Sequence, residues 1–111
     1  MLTIAEVPEY IRRAQELLTE PERRGIVDYL AAHPKAGVVM EGTGGVRKLR
    51  WGRQDRGKSG GVRVIYYFHS GRMPLYLLTV FAKNERANLT KAERNELAGL
   101  VDTLISVWLE K

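Results

Sequence analysis

The first third of the chain carries apolar residues at helical spacing. One set falls three or four positions apart: Val7, Tyr10, Ile11, Ala14, Leu17 and Leu18. A second set does the same: Ile26, Val27, Leu30 and Ala31. Thr19 and Glu22 between them form a capping box, and Pro34 disfavours helical backbone at His33. The pattern predicts two helices that form a hairpin.

Beyond residue 42 the pattern becomes that of strands. A glycine-rich break at residues 42–45 precedes an extended segment from Val46 to Trp51. Residues 52–61 are polar, basic and rich in glycine, which predicts a mobile loop. Residues 62–68 and 75–81 are rich in β-branched and aromatic side chains, and the short turn between them predicts an antiparallel pair.

The last segment returns to helical spacing. Thr90 and Glu93 form a second capping box, and apolar residues then repeat at Leu97, Leu100, Val101, Leu104, Ile105 and Trp108. A helix over residues 91–109 follows. The whole chain, residues 1–111, is therefore expected to be a single α+β domain. It would have two N-terminal helices packed on a small antiparallel sheet, and a C-terminal helix.

Composition narrows the class of protein. The chain has 111 residues, of which 44% are apolar, and it has no cysteine. A disulfide framework and a thiolate metal site are excluded, and a reducing compartment is favoured. The start of the chain lacks a signal-peptide pattern, and no apolar run approaches the length that spans a bilayer. We expect a cytoplasmic protein with no membrane contact.

Positive charge is concentrated in one segment. Between Arg47 and Arg63 there are seven basic residues and one acidic residue, Asp55, so this segment carries +6 while the whole chain carries +5. The remainder of the chain nets −1. The segment therefore marks where a polyanion would bind, although a solvated basic loop would have the same composition.

Several enzyme classes lack support in the sequence. Residues 52–59 (GRQDRGKS) match a phosphate-binding loop, but a strand follows where that motif needs a helix. His33 precedes a proline and His69 lies in a predicted turn, so no catalytic histidine pair is indicated. No spacing of histidines or carboxylates resembles a metal site. We expect no metal and no cofactor.

Basic residues on or next to the predicted strands are the remaining candidates for a functional site. Lys48 and Arg50 are two residues apart and share a face, with Leu49 turned to the core, while Lys83 and Asn84 follow the third strand. If Lys48, Arg50, Arg63 and Lys83 converge, they could stabilise phosphoryl transfer, or they could only bind phosphate. In the first case an RNA 2′-hydroxyl would attack the adjacent phosphate, with a lysine as base.

Aromatic residues on the strands have two possible roles. Tyr66, Tyr67 and Tyr76 could stack on bases, but packing is the commoner role of strand aromatics, and we favour it for two of the three. Trp51, at a strand end beside the basic loop, is the better candidate for stacking.

Three ordered blocks carry a resemblance to a known family: residues 42–51 (GTGGVRKLRW), 57–68 (GKSGGVRVIYYF) and 77–85 (LLTVFAKNE), with the Leu89-Thr90 pair after them. They resemble the HigB branch of the RelE toxin superfamily over about residues 37–100. The resemblance implies a microbial-RNase-like fold and a type II toxin. Such toxins cleave mRNA in the ribosomal A site without metal, and a cognate antitoxin, in this branch a helix-turn-helix protein of the HigA type, holds them inactive.

The resemblance also assigns site residues. The catalytic set it implies is Lys48, Arg50, Arg63 and Lys83. The RNA-binding set comprises Arg47, Trp51, Arg53, Arg56, Lys58, Asn84 and Arg86. Asn84 stands where RelE has an arginine, and Arg86 is the candidate replacement. No tyrosine matches the late RelE tyrosine near Leu89, so the general base and acid stay unassigned.

The expected function is therefore a ribosome-dependent mRNA endoribonuclease that contacts mRNA and rRNA. Two alternatives remain open at this point: a ParE-like poison of DNA gyrase, and a basic RNA-binding protein without catalysis.

Overall fold

A computed structural model describes residues 2–52 and 61–110. Eight elements follow one another in the chain: β1 (Ile4–Glu6), α1 (Pro8–Leu17), α2 (Glu20–Ala32), β2 (Val38–Val39), β3 (Arg47–Trp51), β4 (Val62–Tyr67), β5 (Leu75–Ala82) and α3 (Lys91–Leu109). The three helices and the three longer strands lie where the sequence predicts them. Most of the predicted loop at 52–61, with Arg53, Arg56 and Lys58, lies outside the described residues.

Both predicted capping boxes are confirmed. The Thr19 hydroxyl accepts a hydrogen bond from the Glu22 amide at 3.2 Å, and the Glu22 carboxylate accepts one from the Thr19 amide at 2.8 Å. Thr90 and Glu93 make the same pair of bonds at 3.1 and 2.8 Å. Each box satisfies two backbone amides that the helix itself leaves unpaired, which fixes where α2 and α3 begin.

The sheet has five strands in the order β1-β5-β4-β3-β2. The prediction of an antiparallel sheet is correct for β2 to β5 and wrong at one edge, where β1 pairs with β5 in parallel. Neither β1 nor β2 was predicted, because three residues and two residues are too few to show an alternating pattern. The architecture is α+β, three helices with a mixed sheet.

Two hydrophobic clusters lie on opposite faces of the sheet. The face that we call the helix-pair face packs on α1 and α2, and its cluster includes Leu49, Val64 and Val80. The other, which we call the α3 face, packs on α3 through a cluster that includes Ile65 and Phe81. Both faces are thus covered by helices over part of their area. Within the described ranges, no helix is long and apolar enough to cross a membrane.

Candidate functional site

Three of the predicted cations share the α3 face. Lys48 pairs in register with Ile65, and Arg50 pairs with Arg63. Arg63 pairs in turn with Phe81 on β5. Because residues directly opposite each other in a sheet project to the same side, Lys48, Arg50 and Arg63 all lie on the side of Ile65 and Phe81. Leu49 lies on the other side, 9% exposed, as predicted.

The Arg50 and Arg63 side chains form a like-charge pair across neighbouring strands. Burial, and secondarily the charge of Arg50, lowers the pKa of Arg63 from its ordinary value. Among the described residues, no carboxylate lies within ion-pair distance of Lys48, Arg50 or Arg63. Like charges directly opposite are unfavourable in a sheet, so an anion bound between them would relieve the repulsion.

A β-turn places Lys83 and Asn84 beside this pair. The Glu85 amide donates to the Ala82 carbonyl at 3.0 Å, which makes Lys83 and Asn84 the two central residues of the turn. The Lys83 amide donates to the Gly61 carbonyl at 2.9 Å. The turn is therefore attached to the chain two residues before Arg63, at the end of the sheet where the arginine pair lies. Both central residues are exposed.

Arg86 adds a further cation next to Arg63. Its guanidinium lies over the Phe81 ring, 4.8 Å from the centroid, and Phe81 is the register partner of Arg63. Among the described residues, Arg86 differs from the other cations of the site in having a carboxylate partner, because its Nη1 donates to both oxygens of Glu93 at 2.8 Å. Glu93 belongs to the α3 capping box, so this ion pair joins the start of α3 to the site.

Replacing Glu93 by glutamine is expected to remove a pH-dependent contribution to the free energy of unfolding. The Thr90 amide, and then Arg86, lowers the pKa of Glu93. A carboxyl whose pKa is lowered by folding stabilises the fold above its ordinary pKa of about 4.3, and that contribution is lost as pH falls through the folded-state value. Glutamine preserves the capping geometry but not the charge. Glu93→Gln should therefore lower the free energy of unfolding by up to about 1 kcal/mol at pH 7.

Thermal unfolding at pH 7 and pH 3 measures this effect. The difference between Glu93→Gln and the parent chain should shrink as the pH falls, because the parent also loses the charge. Glu96→Gln is the matched control on the same helix, since Glu96 makes no ion pair within the part of the chain that is described. A Glu93→Gln difference of equal size at both pH values would contradict the interpretation.

Two residues of the predicted RNA-binding set lie on the helix-pair face. Arg47 pairs with Tyr66, and its Nη1 donates to the carbonyls of Gly37 at 2.8 Å and Lys35 at 3.2 Å. Trp51 packs its ring on Tyr29 of α2, with 5.7 Å between centroids. The structure therefore brings together Lys48, Arg50, Arg63, Lys83, Asn84 and Arg86, and it separates Arg47 and Trp51 from them.

The strand tyrosines are occupied by packing. Tyr66 is fully buried, and its hydroxyl accepts from the Gly37 amide and donates to the Pro34 carbonyl, both at 2.8 Å. Tyr67 is 4% exposed. The Tyr76 hydroxyl accepts a hydrogen bond from the Trp108 indole at 2.8 Å. These contacts agree with the packing role that we favoured for two of the three.

Sequence reasoning missed the residues that support the site rather than form it. Glu93 was recognised as a helix cap but not as the partner of Arg86, and the contacts of Glu85 with Ala82 were not foreseen. Only the capping box gave a local signal for either residue. In the described ranges, no group of three or more histidines and carboxylates is placed to hold a metal ion.

A comparison with known protein families finds a match to this chain. The family model described as the RelE toxin of the RelE / RelB toxin-antitoxin system matches residues 35–111. This region is more than half of the chain. It contains β2 to β5, α3 and every cation of the site.

Proposed function

Since this chain belongs to the RelE toxin family, we propose that it is a ribosome-dependent mRNA endoribonuclease that inhibits translation in the cytoplasm. Toxins of this family are generally endoribonucleases, and membership implies a cognate antitoxin. We assign the chain to the HigB branch, with an antitoxin of the helix-turn-helix HigA type. The sequence blocks at residues 42–51 and 77–85 support that assignment.

The observation that carries the proposal is the Arg50–Arg63 pair. The two arginines lie directly opposite each other in register on the α3 face, with Lys48 on the same side and no described carboxylate within ion-pair distance of them. Guanidinium groups donate several hydrogen bonds in a planar array that suits phosphate oxygens. An RNA phosphate bound here would accept hydrogen bonds where negative charge increases during phosphoryl transfer.

The proposed reaction uses the RNA's own 2′-hydroxyl as nucleophile. Its oxygen forms a bond to the adjacent phosphorus, the bond from phosphorus to the 5′-oxygen breaks, and a 2′,3′-cyclic phosphate and a 5′-hydroxyl result. Lys48 or Lys83, in its neutral form, accepts the proton of the 2′-hydroxyl, and Arg50 and Arg63 stabilise the pentavalent transition state. A protonated group supplies the proton that the leaving oxygen takes up. This step requires no metal ion.

Other basic and polar residues are assigned to RNA binding. Arg86 and Asn84 lie at the edge of the site and contact the mRNA backbone, while Arg53, Arg56 and Lys58 contact mRNA or rRNA. Arg47 and Trp51 take no part in the chemical step, because they lie on the opposite face of the sheet.

Mapping of mRNA 5′ ends tests the proposal. Each of three proteins is incubated with mRNA, either in a translation reaction or without ribosomes. The three are the wild-type chain, the double variant Lys48→Ala/Arg50→Ala and the control Arg24→Ala. Arg24 is an exposed cation of α2, 70% accessible, so its loss changes the net charge away from the site. We expect new 5′ ends inside translated codons for the wild type and Arg24→Ala only, and only with ribosomes.

Other outcomes would contradict the proposal in distinguishable ways. When the chain is expressed in cells, growth arrest with intact mRNA and blocked DNA replication would indicate a gyrase poison. Absence of growth arrest, together with salt-sensitive RNA binding, would indicate a binding protein without catalysis. Cleavage by the double variant at the wild-type rate would remove Lys48 and Arg50 from the site.

A further inference from the structure

Arg13 of α1 contacts the turn that carries Lys83 and Asn84. Its Nη2 donates to both oxygens of Glu85 at 2.6 and 2.8 Å, and its Nε donates to the Val80 carbonyl at 3.3 Å. The Glu85 carboxylate also accepts a hydrogen bond from the Ala82 amide at 2.9 Å. Arg13 thus holds the last residues of β5 and the end of the turn at the same time.

Burial makes this contact more than an ordinary surface ion pair. The Arg13 side chain is only 18% exposed, although Glu85 is 42% exposed. Three nitrogens of one guanidinium serve three different acceptors, because Nη1 also donates to Glu16 at 3.1 Å. A lysine ammonium is a single point charge and cannot reach all three acceptors. The arrangement therefore requires arginine at position 13.

The turn itself has little other support. Its backbone is closed by the bond from the Glu85 amide to the Ala82 carbonyl, and Lys83 is attached to Gly61 by one more bond. No other described side chain donates to, or accepts from, the backbone of residues 82–85. Without the Glu85 carboxylate, the Ala82 amide would lose its acceptor, and the turn would be free to open.

We infer that Arg13 and Glu85 are positioning residues for RNA cleavage, which hold the turn so that Lys83 and Asn84 stay beside Arg63. This inference rests on the proposed function, because it gives Lys83 a role at the scissile phosphate. Neither Arg13 nor Glu85 touches the RNA in this arrangement. Misplacement of a reacting group by about 1 Å can lower a rate about 100-fold, so a loosened turn should be visible in kinetics.

The test is a double-mutant cycle in single-turnover cleavage on saturating ribosomes. Glu85→Ala, which removes the acceptor of the Ala82 amide, and Arg13→Lys are each expected to lower the rate by about 10- to 100-fold in the parent chain. In a Lys83→Ala background, the same substitutions should change the residual rate by less than about 2-fold, because the group that they position is already absent. Glu16→Ala is the matched control, since it removes another partner of Arg13 that lies away from the turn.

A second readout is independent of activity. Hydrogen exchange of the Ala82 and Lys83 amides should become at least 10-fold faster in Glu85→Ala, while the amides of β4 stay protected. Equal rate losses with and without Lys83, or unchanged exchange of these two amides, would overturn the inference. If the parent chain cleaves mRNA and Arg63→Ala does not, the proposed function survives such a failure. If the parent does not cleave mRNA, both fail together.

Discussion

Arg63→Ala is expected to lower the rate of ribosome-dependent mRNA cleavage by about 100- to 1,000-fold, the cost of removing one preorganised donor to a developing negative charge. Arg63 lies on β4, on the α3 face, between Arg50 of β3 and Phe81 of β5 in register. Loss of its guanidinium leaves Arg50 alone to stabilise the transition state. Single-turnover cleavage on programmed ribosomes measures the effect.

The same substitution should leave the fold intact. Arg63 faces a like charge across the strands, so its removal relieves repulsion while losing some contact of its aliphatic stem. We expect the free energy of unfolding to change by less than about 1 kcal/mol. This separates Arg63 from residues whose loss inactivates a protein by unfolding it.

Arg72→Ala supplies the matched control for Arg63→Ala. Arg72 is an exposed arginine in the turn between β4 and β5, at the opposite end of β4 from Arg63. Its removal changes the net charge by the same amount. Equal cleavage by the two variants at equal folded concentration would exclude Arg63 from the chemical step. Arg63→Lys tests geometry, since it preserves the charge but not the planar array of donors.

Gly37→Ala is expected to destabilise the fold by about 2 to 4 kcal/mol, through overpacking and the loss of a buried hydrogen bond. A Cβ at this position would lie 2.8 Å from Cε1 and 2.9 Å from the hydroxyl of Tyr66, and 3.0 Å from the Lys48 carbonyl. Tyr66 is fully buried and its hydroxyl is bonded on both sides, so it cannot move without losing those bonds. The melting temperature should fall by roughly 10 °C or more.

Gly99→Ala provides a control of opposite sign. Gly99 lies inside α3, and nothing stands within 4 Å of a Cβ built there. Alanine should stabilise this helix by about 0.5 to 1 kcal/mol. Thermal and urea unfolding followed by circular dichroism measure both variants. If Gly37→Ala unfolds at the parent temperature, the close approach of Gly37 to Tyr66 does not constrain this region.

Local signals in the sequence were sufficient for the helices and the longer strands. The capping boxes at Thr19 and Thr90 mark helix starts because they satisfy backbone amides within four residues of chain. The β1 strand had no such signal. Its partner is β5, more than sixty residues later in the chain, and a three-residue strand before Pro8 is too short to show periodicity.

The candidate site was predictable only where its residues follow a local pattern in the sequence. Alternation along β3 places Lys48 and Arg50 on one face of the sheet. The same alternation places Trp51 with Leu49 on the other face. We nevertheless predicted that Trp51 stacks on RNA, because it precedes the basic loop. That Arg50 faces Arg63 depends on the register between β3 and β4, which a long connection does not fix. Arg13 and Glu85 are far apart in the sequence, and no local pattern links them. Their contact can therefore be identified only from the three-dimensional structure.

Because β1 pairs with β5, the N-terminal elements are synthesised before the strands on which they pack. Ile4 bonds in register beside Leu75, and α1 and α2 bury their apolar faces on strands that follow them in the chain. Because synthesis proceeds from the N-terminus, the nascent helices leave the ribosome before the strands that cover them exist. The cations of the α3 face lie on or next to β3, β4 and β5, so they come together only after β5 (Leu75–Ala82) has been synthesised. The residues of the site therefore cannot come together until all three of these strands have left the ribosome.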